Sequence, residues 1–157
     1  MDLHYILDRR LAVGGGVWTL EAMMELSRRG FTHIIDAQSE FDDTELAAEV
    51  GIEVAWNPVE DDFQPKSDAF FDCSAIFALR ALQRPEAKLY VHCAAGYHRG
   101  PLAAAAVLCE LGFDPDDAME LIQSRRPGAE FPPLYRASLQ RWAAQRVRAA
   151  TAEPGLP

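Results

Sequence analysis

Apolar residues along this chain change their repeat from two to between three and four and back again, which predicts strands alternating with helices. Leu11–Val13 is a short apolar run that ends at Gly14–Gly16. Thr19 then caps a segment with Leu20, Met23, Met24 and Leu26 at helical spacing, closed by Arg28, Arg29 and Gly30. The run Phe31–Ala37, with HIID at its centre, reads as a buried strand, and Asp42 with Glu45 resembles a capping box for a helix stopped by Gly51. Ile52, Val54 and Trp56 alternate as a strand into the Asn57-Pro58 break, and residues 57–66 form a loop. Ser67 caps a helix bearing Phe70, Phe71, Phe77 and Ala78 that ends before Pro85, and Lys88–His92 is a compact strand. Further helices are expected over Pro101–Leu111, from Asp114-Pro115 onward, and over Pro133–Arg148.

This order implies an α/β fold: one domain whose mainly parallel central sheet is covered by helices on both faces. Ligands in such sheets sit at the carboxyl ends of the strands. The loop at Cys93 and the loop holding Asp61 both lie at such ends.

Composition narrows the functional classes. The 157 residues suit one domain, expected over 1–150, with 151–157 (TAEPGLP) a flexible tail. A net charge of −9 disfavours non-specific binding to nucleic acid or to an anionic membrane. The longest relevant apolar run, Leu102–Cys109, is eight residues and too short for a bilayer, and MDLHYILDRR has no signal-peptide core. The three cysteines form no CxxC pair, which fits a reducing, cytoplasmic setting.

The densest chemistry lies in VHCAAGYHRGP, residues 91–101. Gly96 permits a tight turn, so the backbone N–H groups from Ala94 to Arg99 can curl around an anion. Pro101 sits in a first helical turn, so the positive end of a helix dipole faces the same point. Arg99 adds a planar fork able to hold two oxygens of a phosphate-like group. A thiol beside a helix N-terminus and a cation becomes a thiolate near neutral pH. Cys93 is therefore expected to attack a bound phosphoryl group and form a thiophosphate intermediate, with Ala94, Ala95, Gly96, Tyr97, His98 and Arg99 binding the substrate. Loop and guanidinium supply the charge stabilisation, and His4 and His33 show no ligand spacing, so no metal or cofactor is expected.

The run His92-Cys93-Ala94-Ala95-Gly96-Tyr97-His98-Arg99 resembles the HCxxGxxR signature of the protein tyrosine phosphatase superfamily, and its ending looks most like the dual-specificity branch. LAVGGG, GFTHIIDAQSE, the Pro58–Pro65 loop and SRRPG…FPPLYRASLQRW fall in the family's order, so the resemblance covers nearly the whole chain. It implies Cys93 as nucleophile, Arg99 as phosphate clamp and His92 as a support for the loop and thiolate. It also places a general acid in the Pro58–Pro65 loop. Counting forward from Pro58 favours Asp61 and counting back from Pro65 favours Asp62; Asp61 ranks first. Mutual repulsion among Glu60, Asp61 and Asp62 is expected to keep one carboxyl protonated. Gly100 departs from the family, whose active members mostly carry Ser or Thr there; loss of that hydroxyl predicts slow hydrolysis of the phosphoenzyme, with His98 a substitute donor or only a border of the pocket.

Other residues carry plainer readings. Cys73 and Cys109 read as core, Cys73 alternatively as a resolving thiol; Tyr97 as pocket wall or loop packing; Arg125 and Arg126 as a helix-end charge pair or a second anion contact; Asp36 as loop support. The loop lacks lysine and the chain is acidic, which points to a phosphorylated protein or a small phosphoester rather than a polyphosphorylated head group. The rivals are a phosphate-binding pseudophosphatase with little turnover, a Cys-loop sulfurtransferase and an arsenate-type reductase.

Overall fold

The computed structural model describes residues 1–146 and 154–157. Its first element, strand β1 (Leu3–Leu7), has no counterpart in the hydrophobic pattern, because MDLHYILDRR mixes charged and apolar residues without a clean alternation. Pairing creates this strand: it runs antiparallel to β2 (Leu11–Gly14), with Tyr5 opposite Ala12. The turn between them, Asp8–Arg10, places Asp8 and Arg9 at φ 48° and 56°, the left-handed pair that matches the twist of a tight hairpin, and closes with Arg10 N donating to Leu7 O at 2.9 Å. The Arg9 guanidinium lies 4.7 Å from the centre of the Tyr5 ring, across the turn.

The remaining strands are parallel. β3 (His33–Gln38), β4 (Glu53–Val59) and β5 (Leu89–His92) join β1 and β2 in the order β1-β2-β5-β3-β4. β5 fills the gap between β2 and β3, with Val91 level with both Val13 and Ile35. Packing on both faces of the sheet buries Leu89–His92 at every position, which suits the apolar Leu89–Val91. Four parallel strands thus deliver the turn at Gly14–Gly16, the loop after His92, the segment after Gln38 and the loop after Val59 to one end of the sheet.

Helices cover both faces. α1 (Leu20–Arg28) and α2 (Thr44–Ala48) bury Met23, Leu26 and Ala47 against Ile34 and Tyr90. On the opposite face lie α3 (Asp68–Leu82), α4 (Arg99–Glu110), α5 (Pro115–Arg125) and α6 (Pro133–Ala144), with Phe71, Leu102, Met119 and Trp142 in one core. Ala103–Ala106 have no solvent exposure, so α4 lies close against the sheet and any larger side chain there would overpack the interface at about 1–3 kcal/mol.

Thr19, Ser67 and Asp114 cap α1, α3 and α5 as expected, their side chains accepting from the N–H of Ala22, Phe70 and Asp116. At α2 the expected capping box is replaced. Asp43 occupies the capping position without using its side chain there, and Asp42 instead accepts from the Thr44 N–H and hydroxyl. α6 is described to Ala144; residues 147–148 of the expected helix and 151–153 of the expected tail lie outside the described residues. Within 154–157, the Gly155 N–H donates to the Leu111 carbonyl and Leu156 packs against the core. Among the described residues no helix is long and apolar enough to cross a membrane.

Candidate active site

The loop 93–98 leaves the buried end of β5 and enters α4 at Arg99. Its curl is enforced at Gly96, where φ is +79° and a Cβ would stand 2.4 Å from the Gly14 carbonyl oxygen. Four successive loop carbonyls are bonded from outside the loop. Ala94 O accepts from Gly16 N at 2.9 Å, Ala95 O and Gly96 O from the Arg126 guanidinium at 3.2 and 2.6 Å, and Tyr97 O from Glu130 N at 2.9 Å. Peptide planes whose carbonyls are drawn outward turn their N–H groups inward, which is the arrangement of an anion nest. Cys93 lies at the foot of this loop and is 3% exposed.

Arg126 thus does something neither sequence reading anticipated. It is a wholly buried brace at the end of α5, rather than one of a helix-end charge pair with Arg125 or a second anion contact. Besides the two carbonyls, it forks onto both carboxylate oxygens of Asp2 at 3.1 and 2.9 Å, and this pairing holds Asp2 below the usual carboxylate range. Tyr97 lies over the same guanidinium at 5.2 Å and borders Gly128, so it packs on the outside of the loop while remaining 41% exposed.

Arg99 is 4% exposed and its fork is oriented by Glu40. Nη1 and Nη2 donate to the two Glu40 oxygens at 2.6 and 2.8 Å, and Nη1 also to Val59 O at 3.0 Å. Nε is buried and has no partner among the described residues. The Arg99 hydrogen bonds, against a smaller opposing effect of burial, lower the Glu40 carboxyl to about 2, with Ser39 adding to the same side. Glu40 was not singled out in the sequence; QSEFDD carries no spacing that distinguishes it from the neighbouring acids.

The acid loop separates its carboxylates. Asp61 Oδ2 is 3.0 Å from His98 Nδ1, and its Oδ1 accepts from the Tyr135 hydroxyl at 3.0 Å. Asp62 bonds Lys66 Nζ at 2.7 Å and the Gln64 N–H at 3.0 Å. Those bonds hold Asp62 below its ordinary range, which corrects the expectation that clustered acids would raise one another here. The structure therefore ties Asp61 to the Cys loop and ties Asp62 to Lys66.

Beneath the loop, His92, Asp36 and Asp43 form a group with no solvent exposure. His92 Nε2 is 2.8 Å from Asp43 Oδ2 and 3.9 Å from Asp36 Oδ1, while Nδ1 lies 3.3 Å from the Cys93 carbonyl. Burial pushes the Asp36 carboxyl up to about 7, with Asp43 adding to the rise and His92 opposing it. Burial alone would depress His92, but the Asp43 hydrogen bond and the two carboxylates outweigh it and raise the imidazole. Donor atoms of these three residues lie within 4.8 Å of one another, the grouping among the described residues that could hold a metal ion; here His92 and Asp43 are hydrogen-bonded to each other. The support expected of Asp36 comes from its carboxylate, which accepts from Gln38 N at 3.0 Å and Asp43 N at 3.4 Å.

Gly100 packs against the strand end, where a Cβ would lie 3.2 Å from both Cys93 N and His92 C. Cys73 is exposed on α3 rather than core, and Cys109 on α4 is half-buried.

Comparison with known proteins agrees with this geometry. The family model described as dual specificity phosphatase, catalytic domain, matches residues 16–145. The PRL-1 phosphatase of Drosophila melanogaster is 30% identical over 68% of this chain and 61% of its own length. The human protein tyrosine phosphatase type IVA 3 is 30% identical over 71% of this chain and 65% of its own length. The match thus spans less than two-thirds of these relatives. Among solved structures, PTPMT1 in complex with PI(5)P superposes with a TM-score of 0.81 at 21% identity, over 90% of this chain and 94% of that one. Human DUSP28 gives 0.74 at 21% identity, over 92% and 94%, a likeness of fold. With a loop braced around a buried cysteine, an arginine at its far end and a family model spanning residues 16–145, the chain belongs to the dual-specificity phosphatase catalytic-domain family of the protein tyrosine phosphatase superfamily.

Proposed function

We propose that this protein hydrolyses phosphate monoesters, of phosphotyrosine, phosphoserine or phosphothreonine in a protein or of a small phosphoester, through a Cys93 thiophosphate intermediate. The observation that carries the reading is the pairing of two features at one loop. Cys93 sits where the outward-bonded carbonyls turn the loop amides inward, and the Arg99 Nε is buried without a partner among the described residues while Glu40 holds the other two nitrogens. An entering dianion would satisfy the amides and Nε together. Cys93 attacks phosphorus, the ester oxygen departs with a proton, and water then releases phosphate and restores the thiol.

The contacts of the two acids favour Asp61 as proton donor, since it reaches over to the Cys loop whereas Asp62 is held as an ion by Lys66. The lysine-free loop and the carboxylates around it disfavour polyphosphorylated lipid head groups, although the PTPMT1 relative in fold has been solved with PI(5)P. Three cysteines with no CxxC pair suit a cytoplasmic setting.

Hydrolysis of p-nitrophenyl phosphate tests the assignment. Cys93→Ser abolishes turnover, and vanadate or peroxide inactivates the native protein. Asp61→Asn lowers kcat by about 10²–10³ on an ester with a poor leaving group, and Asp62→Asn leaves it near the native value. Turnover that survives Cys93→Ser sinks the reading.

A further inference from the structure

His98, the residue before Arg99, bridges two parts of the site that the chain keeps far apart. Its Nδ1 is 3.0 Å from Asp61 Oδ2, across 37 positions of sequence. The other Asp61 oxygen accepts from the Tyr135 hydroxyl of α6 at 3.0 Å, so both oxygens of this carboxyl are held. Phe63 closes the arrangement. Its backbone is left-handed at φ 61°, a strained conformation for a bulky residue, and its N–H donates to the Tyr135 hydroxyl at 3.2 Å. In that conformation the Phe63 ring stands edge-on to His98 at 5.1 Å and to Tyr135 at 6.0 Å. The charged groups around the pair are Glu130, 3.8 Å from His98 Nε2, the Arg99 guanidinium, and Glu60 and Asp62 of the acid loop, the latter tied to Lys66. The side chains of His98 and Asp61 are 24% and 33% exposed, so the contact is partly sheltered from water.

We propose that His98 is a positioning residue that latches the acid loop onto the Cys loop and holds the leaving-group proton jointly with Asp61. Tyr135 occupies Oδ1, so the transferable proton lies on the Oδ2 side, where His98 stands. A proton held across such a contact belongs to the pair rather than to either residue. The inference rests on the phosphatase reading and adds to it the source of the proton. As the sulfur–phosphorus bond forms and the phosphorus–oxygen bond breaks, the leaving oxygen takes the pair's one proton. Asp61 is left as a carboxylate and His98 as a neutral imidazole whose remaining proton is on Nε2. In the second half-reaction a water attacks phosphorus, the sulfur departs as thiolate, and the water's proton returns to the pair.

The test compares native protein, His98→Asn and His98→Ala on two esters, p-nitrophenyl phosphate, whose leaving oxygen is weakly basic, and phenyl phosphate, whose leaving oxygen needs the proton. Asn retains a donor toward Asp61 and cannot carry a titrating proton. The expected result for His98→Asn is a kcat loss about tenfold greater on phenyl phosphate than on p-nitrophenyl phosphate. The alkaline limb of kcat/KM should also move to lower pH, and the thermal midpoint should stay native-like. In an Asp61→Asn background, His98→Asn should add no further loss on phenyl phosphate. Equal losses on both esters with an unmoved alkaline limb, or a native profile in both variants, overturn the pairing while leaving the phosphatase reading intact. A native protein that hydrolyses neither ester, or a Cys93→Ser variant that still does, overturns that reading and the pairing with it.

Discussion

At the scale of single residues, the site turns on Gly100, where both the missing hydroxyl and the missing Cβ have consequences. The position after the Arg presses on the strand end, since a Cβ would stand 3.2 Å from Cys93 N and His92 C. Adding a side chain therefore moves the backbone beneath the nucleophile by a few tenths of an ångström before any hydroxyl can act. Gly100→Ala isolates that crowding and Gly100→Ser adds the donor. A hydrogen bond to a charged group contributes about 1.5–3 kcal/mol, which is roughly tenfold to a hundredfold in rate. Gly100→Ser is thus expected to hydrolyse its phosphoenzyme at least about tenfold faster than Gly100→Ala, measured by the burst and steady-state phases of p-nitrophenol release. Equal dephosphorylation rates in the two variants refute a role for the hydroxyl at this position.

At the scale of elements, the Cys loop is held by structures distant from it in sequence. The Gly14–Gly16 turn accepts the loop on one side, where Gly16 N meets Ala94 O and the Tyr90 hydroxyl donates to Gly15 O at 2.6 Å. The end of α5 holds the other side through Arg126, which itself is fixed by Asp2, just before β1. The unanticipated β1–β2 hairpin therefore has a function: it carries the counterion of the residue that shapes the loop. Lysine in place of Arg126 keeps the charge but loses the fork that reaches two carbonyls and a carboxylate at once. Arg126→Lys is expected to lower stability by about 1–3 kcal/mol in thermal or denaturant unfolding and to weaken inhibition by vanadate about tenfold. Native vanadate affinity in a destabilised Arg126→Lys protein would separate the brace from the shape of the loop.

At the scale of the whole molecule, buried ionisable groups set how stability depends on pH. Asp36 is held up at about 7 by burial, and His92 is raised as well. Both bind protons more tightly folded than unfolded, so their contribution is fully present at low pH and is lost as pH rises: for Asp36 from the ordinary carboxylate range up through about 7, and for His92 above its ordinary value of 6.5. Glu40, at about 2, has the opposite sign; its contribution is present above the ordinary carboxylate range and disappears as pH falls toward 2. The thermal midpoint should therefore peak in mildly acidic solution and fall toward pH 8. Asp36→Asn should flatten the fall below pH 7, and an unchanged slope in that variant would show that Asp36 does not hold a proton in the folded state.

What the amino-acid order determined by itself lies in contiguous stretches. The alternation of apolar repeats set the strand–helix order, and His92 to Arg99 set the Cys loop between β5 and α4, because a loop of six residues between a buried strand and a helix has few other conformations. Thr19, Ser67 and Asp114 were legible as caps because capping acts within three residues. The edge strand β1 was not, since it is fixed by pairing along one edge with β2 and its composition is mixed. Only the tertiary structure decided which acid faces the loop, which carboxylate holds Arg99, where Arg126 points and what His92 bonds. Those contacts join residues 30 to 59 positions apart, and the direction of each side chain depends on how the sheet ends are stacked, which no local pattern records.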